Sequence, residues 1–407
     1  MTTCGPRSTG QPAVQSPMSP QEFYRIRRLP PYVFAEVNAM KAAARARGED
    51  VIDLGMGNPD AAPPQHVIDK LTETLKNPRV HGYSSSRGVP GLRKAYAAYY
   101  ARRFNVELDP ESEIIVTLGS KEGFANFAQA ITAPGDTVLV PNPCYPIHSF
   151  GFIMAGAAIR HVQVGPNTDF MAGLKRAMRG SVPPPIALVV NYPANPTAEV
   201  VDLDFYREVV AFARKHEILL LSDVAYSEVY YGDDPPPSIL QVPGAKEVAI
   251  EFSSLSKTYN MAGWRLGMAV GNAEAIDALY VLKSQIDTSH FLPIQEAGVA
   301  ALSGDQAWTQ ERNGVYRQRR DAVLEGARQI GMQADTPRAA MYVWAGLPAG
   351  ETSSTQFCDR LLEATGVSVT PGTAFGEGGE GYVRFSLATP VERIREAMGR
   401  MIKWRGP

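Results

Sequence analysis

From about residue 51 to residue 270 the chain alternates short apolar runs with stretches of helical periodicity, which restricts it to an α/β domain with a largely parallel sheet. Seven runs read as strands: 114–118, 137–140, 158–164, 186–191, 218–222, 248–252 and 266–270. Helices lie between them, as in 204–216, where Phe205, Val209 and Phe212 recur at helical spacing. Upstream, 32–47 reads as a helix stopped by Gly48, and 51–54 leads into the loop Gly55-Met56-Gly57-Asn58-Pro59-Asp60. Downstream, helical periodicity runs from about 279 to 330, and 341–345, 367–370 and 382–387 read as strands of a second, smaller α/β domain. The last helix has a start signal: Thr389 as cap, Pro390 at the first position and Glu392 completing a capping box. Val391, Ile394, Met398 and Met401 form its expected buried face. The expected organisation is a disordered tail over 1–20, an arm and part of the small domain over 21–60, a large domain over 61–300 and a small C-terminal domain over 301–407. No internal repeat is present.

Composition excludes several classes of function. The net charge is −2, so no basic field argues for nucleic acid or an anionic membrane surface. The basic group Arg25-Ile26-Arg27-Arg28 reads as a solvated or substrate-gating arm. Cys4, Cys144 and Cys358 are few, odd in number and far apart, which favours a reducing, cytoplasmic setting. The histidines show no metal-ligand spacing, no apolar run is long enough to span a bilayer, and the first twenty residues lack the apolar core of a signal peptide.

Chemistry concentrates in Phe252-Ser253-Ser254-Leu255-Ser256-Lys257, followed by Gly263-Trp264-Arg265-Leu266-Gly267. A lysine at a strand end can be desolvated, which frees a nucleophilic amine. Ser254 and Arg265 add a hydroxyl donor and a forked cation, a phosphate-binding pair. An amine beside a phosphate site is what a Schiff base to pyridoxal 5′-phosphate (PLP) requires. Ser254-x-x-Lys257 also matches the Ser-x-x-Lys of penicillin-binding proteins, but the companion Ser-Asp-Asn and Lys-Thr-Gly motifs are missing.

Ligand groups gather at the carboxyl ends of strands in open α/β sheets, which singles out the residues that follow the other strands. Gly119-Ser120-Lys121 opens onto a helix over 122–131 and offers donors to a phosphate. Tyr145 follows another strand and can stack on a ring; Cys144 beside it shows nothing that would lower its pKa. Asp223 can hold a pyridine nitrogen protonated, and Tyr226 and Asn195 can donate to the ring oxygen. Arg384, inside the apolar strand 382–387, needs a carboxylate partner, read as that of the substrate. Gly376-Glu377-Gly378-Gly379-Glu380-Gly381 satisfies Gly-x-Gly-x-x-Gly but opens no helix; a mobile loop is expected there.

Together these residues make the chain resemble the class I/II aminotransferases of PLP fold-type I, from the arm near Tyr24 to the C-terminal helix. The resemblance implies that fold, a large domain whose seven-stranded, mostly parallel sheet lies between helices, with a smaller α/β domain beside it. It implies Lys257 as Schiff-base lysine and proton shuttle, Asp223 on the pyridine nitrogen, Tyr226 and Asn195 on the phenolate, and Tyr145 on the ring face. It also implies Ser120, Lys121, Ser254 and Arg265 on the phosphate, and Gly57 and Arg384 on the substrate carboxylate. Tyr83 would reach the phosphate of a partner subunit, making the protein a homodimer. Within the family, Met56-Gly57-Asn58-Pro59-Asp60 and Met261-Ala262-Gly263-Trp264-Arg265 are similar to bacterial glutamate–pyruvate (alanine) transaminases, and to the diaminopimelate and aspartate enzymes. The substrates expected are an L-amino acid and a 2-oxo acid. Ser222, Tyr192 and Ala194 depart from the alanine group and are expected to alter the ring's surroundings. A carbon–sulfur lyase on the same scaffold is the rival reading; a PLP-sensing regulator would need a DNA-binding domain before residue 21.

Overall fold

All seven expected strands join one sheet, in the order Ile114–Thr117, Gly267–Gly271, Ala249–Ser254, Leu219–Asp223, Pro185–Asn191, Thr137–Asn142 and Ala158–Gln163. Gly267–Gly271 is antiparallel to both neighbours, and every other pairing is parallel. The computed structural model describes residues 23, 29–30, 33–166 and 168–405. The expected tail over 1–20 and the basic group at 25–28 lie outside the described residues.

Apart from the edge strand Ala158–Gln163, which is largely exposed, the strands are buried on both faces because their side chains alternate between two apolar clusters. Leu188, Val190 and Leu220 pack with the tyrosines of the helix Pro90–Phe104, whereas Ala187, Val189 and Leu221 pack with Phe124 and Phe152 on the other face. A third cluster joins Ile52 and Leu54 to Tyr342, Val343, Phe385, Ile394 and Met401. It is built on a three-stranded antiparallel sheet, ordered Thr370–Pro371, Tyr382–Ser386, Tyr342–Gly346, and on the parallel pair Ile52–Asp53 with Val367–Ser368. The helical region near 279–330 resolves into Ala273–Ser284, Leu292–Ser303 and Ala307–Gln329. In the last helix, Val391–Arg405, Ile394, Met398 and Met401 are buried and Val391 half-buried, while the Thr389 hydroxyl donates to the carbonyl of Asp53 at 2.9 Å.

Two expectations are corrected. The glycine-rich stretch at 376–381 is not a free loop: it forms the short turn Glu377–Gly379, Gly379 is buried, and the Gly378 amide donates to Asn142 Oδ1 at 3.0 Å. Its glycines serve close packing, since a Cβ on Gly378 would approach the Asn142 carbonyl oxygen to 2.9 Å. Ser222 does not face the same side as Asp223. Strand alternation turns it to the opposite face, where it donates to buried Glu251 at 3.2 Å. Glu251 also accepts from Tyr100 (2.8 Å), Ser238 (2.7 Å) and the Ile239 amide (3.3 Å), so serine at 222 completes a structural network. Tyr192 and Ala194 are packed in the large apolar cluster.

Candidate active site

The six parallel-running strands place their carboxyl ends along one edge of the large sheet, and that edge holds the polar residues. After Ile114–Thr117 the chain turns at Gly119 (φ 85°) into the helix Ser120–Ile131. Glu122 reaches back to accept from the Leu118 amide at 2.8 Å, closing the turn. Arg265, itself left-handed at φ 60°, donates to the carbonyl of Ala262 at 2.7 Å and packs so tightly on Gly119 that a Cβ there would overlap its guanidinium. Gly267 is equally constrained, because a Cβ would come within 2.7 Å of the Ser120 amide. Ser254 ends its strand and accepts from the Ser256 amide at 3.1 Å, which leaves its O–H free to donate. Burial, and then the charge of Arg265, lower the pKa of Lys121. Two cations, a hydroxyl and a helix N-terminus thus converge where a dianion would relieve their repulsion.

Asp223 is the last residue of Leu219–Asp223 and is buried. Its Oδ2 lies 2.9 Å from His148 Nε2, its Oδ1 accepts from the Ala225 amide at 3.2 Å, and its carbonyl accepts from Asn191 Nδ2 at 2.8 Å. Burial opposes the charged form of His148, but Asp223 and the neighbouring Cys144 together outweigh it and lift the pKa to about 9. Lys257 Nζ donates to the carbonyl of Gly57 at 2.7 Å. Its pKa is lowered to about 8 by burial, and further by the charges of Arg384 and Arg265.

Arg384 lies on Tyr382–Ser386 and is 2% exposed. Its Nη1 donates to Asn195 Oδ1 and its Nη2 to the Gly55 carbonyl, both at 2.7 Å, while its buried Nε has no hydrogen-bond partner among the described residues. The guanidinium sits 4.2 Å from the Tyr342 ring centroid and 4.6 Å from that of Phe375. Tyr342 Oη is in turn 2.7 Å from Tyr226 Oη.

Nine of the residues expected from sequence line one cavity of about 130 Å³: Ser120, Lys121, Tyr145, Asn195, Asp223, Tyr226, Ser254, Lys257 and Arg265. Gly57 and Arg384 reach its rim through Lys257 and Asn195. Tyr83 stands apart, 96% exposed. Sequence reasoning missed His148, Asn191 and Tyr342. Asn191 ends a strand and was open to the same reading as Asp223; the other two carried no local signal.

The family model for aminotransferase class I and II matches residues 49–401. The chain belongs to that family. Among this aminotransferase's relatives, AatC of Rhizobium meliloti is 55% identical over 93% of the chain and 94% of its own length. The glutamate-pyruvate aminotransferase AlaC of Escherichia coli is 47% identical over 93% and 92%. An LL-diaminopimelate aminotransferase of Moorella thermoacetica is 45% identical over 94% and 97%. A solved single mutant of Thermus thermophilus aspartate aminotransferase superposes with a TM-score of 0.87 at 33% identity, covering 93% of this chain and 98% of that one. The aminotransferase therefore has the fold-type I architecture and uses PLP. Its cavity fits that group, because an anion cradle, a buried carboxylate and a lysine of lowered pKa all line it.

Proposed function

We propose that this aminotransferase moves an amino group between L-alanine or L-glutamate and a 2-oxo acid by a ping-pong mechanism. The observation that carries the amino-acid reading is Arg384, a buried arginine that pairs with no carboxylate among the described residues and has a partnerless Nε. A planar fork in that state suits the α-carboxylate that all the substrates share.

PLP, when bound, supplies an aldehyde that condenses with amines and a ring that accepts the electron pair left by a departing α-proton. Lys257 would carry it through Nζ and, once displaced by substrate, use the same nitrogen to move the α-proton. The Gly57 carbonyl orients that amine. Asp223, fixed by His148 and the Ala225 amide, would keep the pyridine nitrogen protonated. Arg384 occupies the oxygen of Asn195, so the Asn195 NH₂ faces the cavity and would donate with Tyr226 to the ring oxygen. Tyr145 would lie on the ring face, and Ser120, Lys121, Ser254 and Arg265 would hold the phosphate. Arg384, Gly57 and Asn195 would bind the substrate carboxylate.

The AlaC relative supports the alanine and glutamate pairing; the Moorella relative favours LL-diaminopimelate as a second reading. The same proposal makes the protein a cytoplasmic homodimer, with exposed Tyr83 reaching the phosphate in the partner subunit's site. It divides the chain into a large domain over 61–300 and a small one formed by 21–60 and 301–407. In support, buried core residues up to Leu302 include all those of the large sheet, and those from Tyr316 onward pack around the small one.

Adding L-alanine, L-glutamate, L-aspartate, LL-diaminopimelate and L-cysteine separately to the PLP-loaded protein tests the substrate. Loss of the visible band with alanine and glutamate, restored by pyruvate, is the expected result. Loss with LL-diaminopimelate alone would favour the second reading, and pyruvate released from cysteine would favour a lyase.

A further inference from the structure

We propose that Tyr342 is a positioning residue for the reaction: its hydroxyl donates to Tyr226 and thereby directs the Tyr226 proton into the cavity. This rests on the reading above, in which Tyr226 donates to the ring oxygen of PLP. Tyr342 belongs to the strand Tyr342–Gly346 of the small sheet and is buried. Its ring stands edge-on to that of Tyr226, with centroids 5.4 Å apart at 72°, and the hydroxyl oxygens are 2.7 Å apart.

The direction of that hydrogen bond follows from counting protons. Each phenol has one. Among the described residues, Tyr226 is the hydrogen-bond partner found for Tyr342 Oη. If Tyr226 donated to Tyr342, the Tyr342 proton would lack an acceptor and Tyr226 would have nothing to offer the cavity. If Tyr342 donates, Tyr226 accepts and turns its own proton to the cavity it lines. Tyr226 keeps its own proton, since burial pushes its pKa well above the ordinary phenol value. A phenol that accepts one hydrogen bond also donates a stronger one.

Tyr342 is held in place by two further groups. The Arg384 guanidinium lies over its ring at 4.2 Å, and the absence of a side chain at Gly57 makes room for its phenol, which a Cβ there would overlap. One tyrosine thus touches the phenolate donor, the carboxylate-binding arginine and the glycine whose carbonyl holds Lys257.

Tyr342→Phe removes the hydroxyl and keeps the ring over Arg384, so a packing role and a proton-directing role separate. The measurement is the pH titration of the visible band of the PLP-loaded protein, for Tyr342→Phe, Tyr226→Phe and the double variant. A weakened donor to the ring oxygen raises the titration midpoint. We expect Tyr342→Phe to raise it by about half a pH unit, Tyr226→Phe to raise it further, and the double variant to match Tyr226→Phe alone. The kcat of Tyr342→Phe should fall about fivefold with KM held. An unchanged midpoint in Tyr342→Phe, or shifts that add in the double variant, would overturn the inference. An unchanged midpoint in Tyr226→Phe would overturn the underlying reading instead, whatever Tyr342→Phe does.

Discussion

At Lys257, burial and the charges of Arg384 and Arg265 all act against the ammonium form, and the pKa falls to about 8. An ordinary lysine, with a pKa near 10.4, is about 0.1% neutral at pH 7.5, whereas one at 8 is about a quarter neutral. A lowered pKa leaves the amine protonated below it and free above it. The rate at which ligand-free protein takes up PLP covalently should therefore rise with pH and level off just above 8, as stopped-flow absorbance would record. A rate still climbing at pH 10 would mean a solvated lysine. Lys257→Ala should fold normally by circular dichroism and lose more than about 10³-fold in turnover. Lys257, Asp223 and Arg384 were legible as candidates because each is a charged residue inside or just beyond an apolar strand, where an unpaired charge needs a reason. Their partners were not: His148 is 75 positions from Asp223, and Tyr342 is 116 from Tyr226.

At the scale of the element, the turn from Ile114–Thr117 into Ser120–Ile131 sets the anion cradle, and Gly119 is its hinge point. The residue is left-handed at φ 85° and faces the Arg265 guanidinium without a side chain between them. Gly119→Ala should cost about 1–3 kcal/mol of stability and, by displacing Arg265, weaken PLP binding by at least about tenfold. Thermal melts with and without PLP separate the two: the variant should gain less from added cofactor than the wild type. An equal gain would show that Arg265 is not displaced. The glycine-rich turn at Glu377–Gly379 teaches the opposite lesson. Its composition resembles a flexible loop, yet its glycines allow the backbone to press against Asn142. Composition reports conformational freedom, and packing decides whether that freedom is used for motion or for contact.

In the whole molecule, residues at the edge of the large sheet line the cavity and residues of the small sheet support them from behind. Lys257, Asp223 and Ser254 come from the large sheet's edge, while Arg384 and Tyr342 come from the small sheet and Gly57 from the loop after Ile52–Asp53. Asp60 and Arg319 tie that loop to the helix Ala307–Gln329 through a bidentate pair, both contacts at 2.8 Å. A homodimer would complete the site with Tyr83, so sedimentation should give twice the 44.2 kDa chain mass. Tyr83→Phe should weaken PLP binding several-fold, the effect of one lost hydrogen bond to an anion. A monomer at assay concentration would sink that expectation. The sequence by itself determined the seven strands, the polar residues at their ends and the desolvated lysine as a candidate, because strand periodicity and the unfavourable burial of charge are local properties. The tertiary structure alone decided that Ser222 serves Glu251, that His148 backs Asp223 and that Tyr342 meets Tyr226. Those contacts bring together distant segments whose alignment depends on how whole sheets pack, which no local pattern encodes.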